Sequence, residues 1–412
     1  MVRVSSRLHP LASTLAALLG VAGCGERTFG VEGGETSDAP ETSGTPETSG
    51  APETSGDPET SGDPETSGDP STTGDPLEPC DEVVIPDPSL EAAIRAELDL
   101  PADAPVDAAA LASLTTLYVS NVQYPGVEQL TGLECAVELT ELYVGGHPLT
   151  DLSPLADLTK LEVLSAEATD ITELPVFASL PAMRRLMLGN NPGLTDLTPL
   201  AGATALEWLS VESSAVADLA PIAGSSHLRT LAAGYSALTD LEFAAGLAEL
   251  EFLSIQATAV TDLGPLTGLP ALRLLLIDDV AVASLEPLAT LPSLDELHMA
   301  NTGQADVSDL AGLPLRYLGA VGNGIVDVTP ITTFAPEGLQ PWGYDLRDNA
   351  IADLSPFADT VWLGDGCGIP LELAGNPVAA SPTLAQDYPY VCELGMFVSW
   401  DDGQWCGQGP CP

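Results

Sequence analysis

A chain of 412 residues that is 45% hydrophobic but only 5% aromatic can build a large core, and that core must consist mainly of Leu, Val, Ile and Ala. Its formal charge is −49, with 11 Lys and Arg against 60 Asp and Glu, so it repels phosphate backbones and anionic lipid surfaces. Nucleic acid binding and electrostatic membrane attachment are thereby excluded.

The amino terminus carries Arg3 and Arg7 ahead of an apolar run, Leu11 to Val21, that is too short to span a bilayer. This marks residues 1–23 as a secretion signal. The run ends in Val21-Ala22-Gly23-Cys24, which resembles the lipobox of bacterial lipoproteins. The resemblance implies a lipoprotein signal peptide, with Cys24 the acylated (palmitate-bearing) first residue of the mature chain. It also implies membrane contact through that lipid anchor only. Gly25 is not the Asp that resembles an inner-membrane retention signal, which points to the outer membrane of a bacterial cell envelope. The competing reading is an ordinary signal peptide cleaved near Ala22, with Cys24 an incidental thiol. Seven cysteines divide as one plus six, because all the others lie at or beyond Cys80. An odd cysteine in an exported chain calls for a modification, an intermolecular bond or a reactive thiol.

Residues 24–79 form a linker. From Glu35 to Pro76 the chain repeats hexapeptides such as "APETSG" and "DPETSG", which bury nothing and resist helix and sheet. About 55 such residues average roughly 40 Å end to end, enough to lift a domain off a membrane.

Beyond Cys80, Ile85-Pro86-Asp87-Pro88 leads into a helix whose face is Leu90, Ala93, Ile94 and Leu98. Then a single pattern takes over. "LTELYVGGHPLTDLSPLADL" starts at Leu139, and copies follow at Leu161, Met183, Leu206, Leu228, Leu250, Leu272, Leu294 and Leu315. The step is 22 residues, except 23 after Met183 and 21 before Leu315; a looser copy precedes at Leu114 and "YDLRDNAIADLSPF" follows. A fixed period of this size specifies a solenoid. In "LTELYV", Leu142 and Val144 alternate with Glu141, Tyr143 and Gly145, as in a strand buried on one face. Each repeat closes its core only against its neighbours.

The repeats, from about residue 84 to residue 380, resemble bacterial leucine-rich repeats of the 22-residue internalin-like class. The resemblance implies an α/β repeat solenoid with a parallel β-sheet on its concave face, a short helical or irregular convex side and disulfide-capped ends. Residues 80–138 are then an amino-terminal cap and first repeat, 139–380 the repeats, and 381–412 a Cys-containing carboxy-terminal cap. The family places Asn where its side chain bonds neighbouring backbone. Asn191, Asn323, Asn349 and Asn376 fit, whereas His147, Thr169, Ser214, Ser236, Thr258, Val280 and Thr302 hold the slot elsewhere. Val280 has no hydrogen-bonding side chain, so its turn is expected to be locally irregular. Six cysteines permit fifteen pairings. Their grouping at the two caps favours Cys80–Cys135, and at the other end Cys367–Cys392 with Cys406–Cys411.

Catalytic constellations are absent. His9 is lost with the signal, His147 occupies an Asn slot, and His227 precedes a repeat start. His298, Glu296 and Asp278 are compatible with a metal site and equally with a solvated polar strip. There is no GxSxG turn, P-loop, Rossmann fingerprint or EF-hand loop. The expectation is a protein without enzymatic activity, cofactor or resident metal.

The concave face is therefore the candidate surface. Outward strand positions are Tyr118, Tyr143, Arg185, Met187, Trp208, Glu212, Phe252, Gln256, Leu274, Leu276, Asp278, Glu296, His298 and Tyr317. Trp208 and Phe252, extended by Leu274 and Leu276, put large apolar groups where a solvated sheet does not need them. Anchors of that kind flanked by acids match binding hot spots. The expected partner is a protein or peptide with basic residues around an apolar patch, bound by a monomer. The rival is a structural or adhesive envelope protein without a dedicated ligand.

Overall fold

A computed structural model describes residues 80, 83–101, 103–176, 181–334, 341–359, 370–378, 397–399 and 405–406, all within one compact unit, Thr73–Pro412. The signal, Cys24 and the hexapeptide linker lie outside the described residues. So do Cys367, Cys392 and Cys411, and with them both expected carboxy-terminal disulfides.

The repeats resolve into short strands joined by tight turns. The strands are β1 (Thr116–Tyr118), β2 (Glu141–Tyr143), β3 (Val163–Ser165), β4 (Arg185–Met187), β5 (Trp208–Ser210), β6 (Thr230–Ala232) and β7 (Phe252–Ser254). They continue as β8 (Leu274–Leu276), β9 (Glu296–His298), β10 (Tyr317–Gly319), β11 (Gly343–Asp345), β12 (Pro370–Glu372), β13 (Phe397–Ser399) and β14 (Trp405–Cys406). All belong to one sheet whose order follows the sequence, parallel from β1 to β13 and antiparallel only where β14 meets β13. The register is one repeat per strand: Leu142 pairs with Leu164, Leu164 with Leu186, and Leu186 with Leu209. These central residues are fully buried.

Opposite the sheet the chain makes single 3₁₀ turns such as Ser153–Leu155, Thr198–Leu200 and Ala220–Ile222. Each carries Pro early in the turn, where a helix start has no intrahelical partner for the N–H that Pro lacks. An aspartate two residues ahead closes each start: Asp151, Asp196 and Asp218 accept the N–H of Ser153, Thr198 and Ala220 at 2.7 Å. The Thr198 hydroxyl and N–H hold the Asp196 carboxyl below its ordinary range. Leu155, Leu200 and Ile222 point inward and complete the core.

The Asn slots behave as anticipated. Asn191 donates to Ala166 and Leu188 carbonyls at 2.9 and 2.8 Å, bridging two coils. Ser214 and Thr258 bond only within their own coils: Ser214 donates to Val211 O and accepts Val216 N, and Thr258 donates to Ile255 O. Val280 departs from expectation in an informative way. Its turn keeps the left-handed residue found in the other coils (Asp279, φ 59°), and Asp279 N still bonds Ala300 O at 2.8 Å. The irregularity falls further on. Asp170, Ala215 and Ala259, each directly after its slot, bond the preceding coil, whereas after Val280 it is Ala283 that reaches back, to Thr261 O.

At the amino end, α1 (Pro88–Glu97) lays Leu90, Ala93 and Ile94 on the first coil, followed by α2 (Ala108–Leu111). Asp87 caps α1 by accepting Ser89 N and Leu90 N on Oδ1, while its Oδ2 accepts Glu128 N at 2.9 Å. One carboxylate thus starts the helix and ties it to the first repeat. The expected Cys80–Cys135 disulfide is present, with Cα atoms 5.6 Å apart and 55 residues between its ends. Chain entropy alone makes a loop of that length worth about 4 kcal/mol.

Candidate functional site

Because every strand is in register, its outward residues line up in columns along the solenoid. The first column holds Val163, Arg185, Trp208, Thr230, Phe252, Leu274, Glu296 and Tyr317. The second holds Tyr143, Ser165, Met187, Ser210, Ala232, Ser254, Leu276 and His298. A third, just past the strand ends, holds Gly145, Glu167, Gly189, Glu212, Gly234, Gln256 and Asp278. The ladder bonds fix its register: Gly146 N to Glu167 O, Ala168 N to Gly189 O, Asn190 N to Glu212 O and Ser213 N to Gly234 O.

All fourteen residues expected on this face occupy outward positions, but they are not equally available. Tyr118 is 60% exposed and its ring lies 5.8 Å from that of Tyr143. Arg185 is exposed, and Phe252, Leu274, Leu276, His298 and Tyr317 are half-buried. Trp208 and Met187 are each only 7% exposed, so neither is an open anchor. Neighbouring strands cover them, an effect no single repeat reveals. Trp208 keeps its Nε1–H buried with no hydrogen-bond acceptor among the described residues.

The His298 group separates into two sets of contacts. His298 Nε2 and Glu296 Oε1 are 2.8 Å apart, and the His298 ring stacks at 4.8 Å on Tyr317. Asp278 is engaged elsewhere, accepting Gln256 Nε2 and Ala300 N at 2.6 Å. The three carboxylate and imidazole groups do not converge on one point, and among the described residues no cluster of three His, Cys, Asp or Glu is arranged to hold a metal. Burial, with Asp345 and Glu296 nearby, pushes the Tyr317 phenol up to about 12. His147 fills its slot as a structural residue, with Nε2 3.0 Å from Val119 O and Nδ1 accepting Val127 N.

A feature the strand pattern did not draw attention to runs along the entry edge of the sheet. The residue before each strand from β3 to β10 alternates in charge: Glu162, Arg184, Glu207, Arg229, Glu251, Arg273, Asp295, Arg316. Arg184 meets Glu207 at 2.6 Å and Glu162 at 3.8 Å, Arg229 meets Glu251 at 2.8 Å, and Arg273 meets Asp295 at 2.6 Å. The ladder ends with Arg316 over the Trp342 ring at 4.1 Å. Exposed pairs are each worth about 0–1 kcal/mol. Their larger effect is on distribution, because the edge takes four of the chain's 11 Lys and Arg. The signal was readable as a charge alternation at the repeat spacing.

On the third column, Glu167 and Glu212 make no ion pair among the described residues. Burial raises the Glu167 carboxyl above its ordinary range, and the charge of Glu212 raises it further; burial likewise raises Glu212. A carboxyl with a raised native pKa binds its proton more tightly folded than unfolded. Its ionisation therefore opposes folding at neutral pH, an effect that fades as pH falls through that native pKa and is gone only below the unfolded-state value. Glu167→Gln should accordingly raise Tm at pH 7 by roughly 1–3 °C, with the gain fading by pH 4. Thermal unfolding at the two pH values checks this, and a lower Tm at pH 7 would contradict it.

No protein-family model matches the chain, and no curated protein matches it. Solved structures do. An internalin (InlF) of Listeria monocytogenes is 27% identical, with a TM-score of 0.58, over 71% of this chain and 90% of that one. Internalin C2 of the same organism is 31% identical over 55% of this chain and 90% of that one, with a TM-score of 0.44. A leucine-rich repeat protein of Leptospira interrogans is 19% identical over 69% and 72%, with a TM-score of 0.47. Sheet order, one-repeat register, bridging asparagines and the internalin likeness agree: the chain is a leucine-rich repeat protein.

Proposed function

We propose that this protein is a lipid-anchored leucine-rich repeat protein of a bacterial cell envelope that binds a protein or peptide partner through its concave face. The observation that carries the reading is the apolar run Phe252, Leu274 and Leu276, half-exposed on adjacent strands of the concave sheet face. A sheet whose other face is already packed gains nothing from such residues unless something covers them. The likeness to an internalin supports a binding role, and the repeat spacing supports the 22-residue class. The Cys24 motif, followed by a tether, supports attachment at the outer membrane with the solenoid held away from the lipid. His147, His227 and His298 each have a bonding partner that accounts for them, which favours binding over catalysis.

Because Trp208 is buried, Phe252 and Leu276 are the informative positions. A photo-crosslinking residue placed at either should capture a discrete partner in native cells, and the same residue at Asp240, on the turn side, should not. Phe252→Ala with Leu276→Ala should weaken capture at least about tenfold, as expected for two apolar anchors worth roughly 1–3 kcal/mol each. Capture from Asp240 alone would move the binding surface elsewhere. Salt-dependent self-clustering with no saturable partner would favour the structural envelope role instead.

A further inference from the structure

Cations are scarce in this chain, and one of them is not used by the fold. Among the described residues, Arg95, Lys160 and Arg347 pair with Glu91, Glu138 and Asp345, while Arg184, Arg229, Arg273 and Arg316 belong to the edge ladder. Arg185 makes no ion pair and no side-chain hydrogen bond with any described residue, and it stands exposed in the first column of the concave face. Beside 60 Asp and Glu, a guanidinium left without a carboxylate calls for a reason.

Its neighbour supplies a second, independent donor. Arg185 pairs in register with Trp208, one strand or about 4.8 Å away. Trp208 is 7% exposed, and its indole N–H is buried without an acceptor among the described residues. A buried donor left unmade is a standing cost to the fold. An indole N–H and a guanidinium can only donate, so whatever answers both is an acceptor. A neutral carbonyl would satisfy the indole and leave the guanidinium charge unmatched. A carboxylate does both, with two oxygens for two donors. A phosphate would bring a second negative charge against a net charge of −49. Of the residues that flank Trp208, Arg185 is exposed and held by no bond, so it can lift to admit a ligand and close over it.

The surrounding acids leave room for this. Glu167 and Glu212 stand in the third column, four residues along the strand from the first. That is about 13 Å of backbone, beyond the Debye length of about 8 Å at physiological salt. Glu141, two strands before Arg185 in the first column, accepts the Tyr143 hydroxyl at 3.0 Å. From β4 to β8 the first column reads Arg185, Trp208, Thr230, Phe252, Leu274: two donors, a small residue and two apolar groups. An acid seated on the donors lies three strands, about 14 Å, from an apolar group seated on Phe252 and Leu274.

We propose that Arg185 and the Trp208 indole N–H form a carboxylate site for an Asp or Glu side chain of the protein or peptide partner, beside the apolar run that anchors it. This rests on the concave-face reading and gives the partner an acid where the overall charge of the chain calls only for bases. An array of random dodecapeptides with acetylated and amidated ends, probed with the full chain at 150 mM salt, tests it, because the blocked ends leave side chains as the only carboxylates. The strongest binders should carry Asp or Glu together with apolar residues. Changing that acid to its amide should weaken binding at least about tenfold by fluorescence anisotropy. Arg185→Gln, confirmed folded by circular dichroism, should bind the acid and amide peptides alike. Trp208→Phe should weaken the acid peptide about fivefold, as expected for one lost hydrogen bond. In the unaltered chain, the indole proton signal that Trp208→Phe removes should move downfield with the acid peptide and stay in place with the amide peptide. An array that selects basic peptides or none, or an acid preference that survives in Arg185→Gln, overturns the site. Partner capture at Phe252 with no acid preference overturns the carboxylate site and leaves the binding face standing. An acid preference that is lost in Arg185→Gln, with no capture at Phe252, keeps the site and overturns the apolar run as the anchor.

Discussion

Replacing Asn349 with alanine should lower stability by about 4 kcal/mol, whereas Thr258→Val should cost about 1 kcal/mol, although both residues hold the same slot of their repeats. Asn349 is 8% exposed and works in both directions. Its Oδ1 accepts Asn323 N and Ile325 N at 3.0 Å, and its Nδ2 donates to Ala320 O and Leu346 O at 2.9 Å. Truncation therefore orphans buried donors and acceptors in two successive coils, and each orphan costs about 1–3 kcal/mol. Thr258 gives up a single bond, to Ile255 O in its own coil, and valine keeps its shape. Urea unfolding of the two variants measures the difference. Native-state hydrogen exchange should localise the Asn349 effect to the coils of β10 and β11. Equal losses would mean that the slot acts by shape and that the bridging bonds contribute little.

That contrast shows where sequence reading succeeds in a repeat protein. The inward positions were legible because Leu142, Leu164, Leu186 and their successors recur at a fixed period, and a strand shifted by one residue would expose all of them. The Asn slots were legible for the same reason, and Val280 showed the limit. Its missing hydrogen bonds were foreseen, but not that the turn would hold and the backbone three residues on would change its partner. Asp87 illustrates a second limit: an N-cap is readable locally, but its second oxygen reaching Glu128 N, 41 residues away, is not.

The outward face was harder because exposure there depends on residues one strand to either side. Trp208 reads as an exposed anchor within its own repeat, yet it is buried because Arg185 and Thr230 flank it and Met187 and Ser210 sit in the next column. The edge ladder and the alternation of glycine with long polar residues past the strand ends are likewise properties of columns. They become visible when the chain is written with repeats stacked, so that Glu162 lies over Arg184 and Glu167 over Gly189. Stacking also separates the two roles of acidic residues in a chain of charge −49. Those on the edge are paired with the chain's own arginines, whereas Glu167 and Glu212 on the third column make no ion pair among the described residues.

Cys24→Ser should convert a membrane-bound protein into a soluble one, with no change in the folding of the solenoid. Cysteine arithmetic and electrostatics lead to this result together. Cys80 and Cys135 are joined, and the remaining four lie at Cys367, Cys392, Cys406 and Cys411, an even set at one end of the chain. Cys24 is the one left over, ahead of the tether. No helix among the described residues is long and apolar enough to cross a membrane, and the charge of −49 opposes adsorption to anionic lipid. The acyl anchor proposed at Cys24 would be worth about 0.8 kcal/mol per buried methylene. One chain holds only weakly, and two or more hold stably, so losing the acylated residue should move essentially all of the protein to the soluble fraction. Cell fractionation with mass analysis of the amino-terminal peptide reads both location and modification. A serine variant that remains acylated and sediments with membranes would overturn the anchor. Soluble variant protein that still captures its partner at Phe252 would show that the tether sets where the solenoid works, while the concave face sets what it holds.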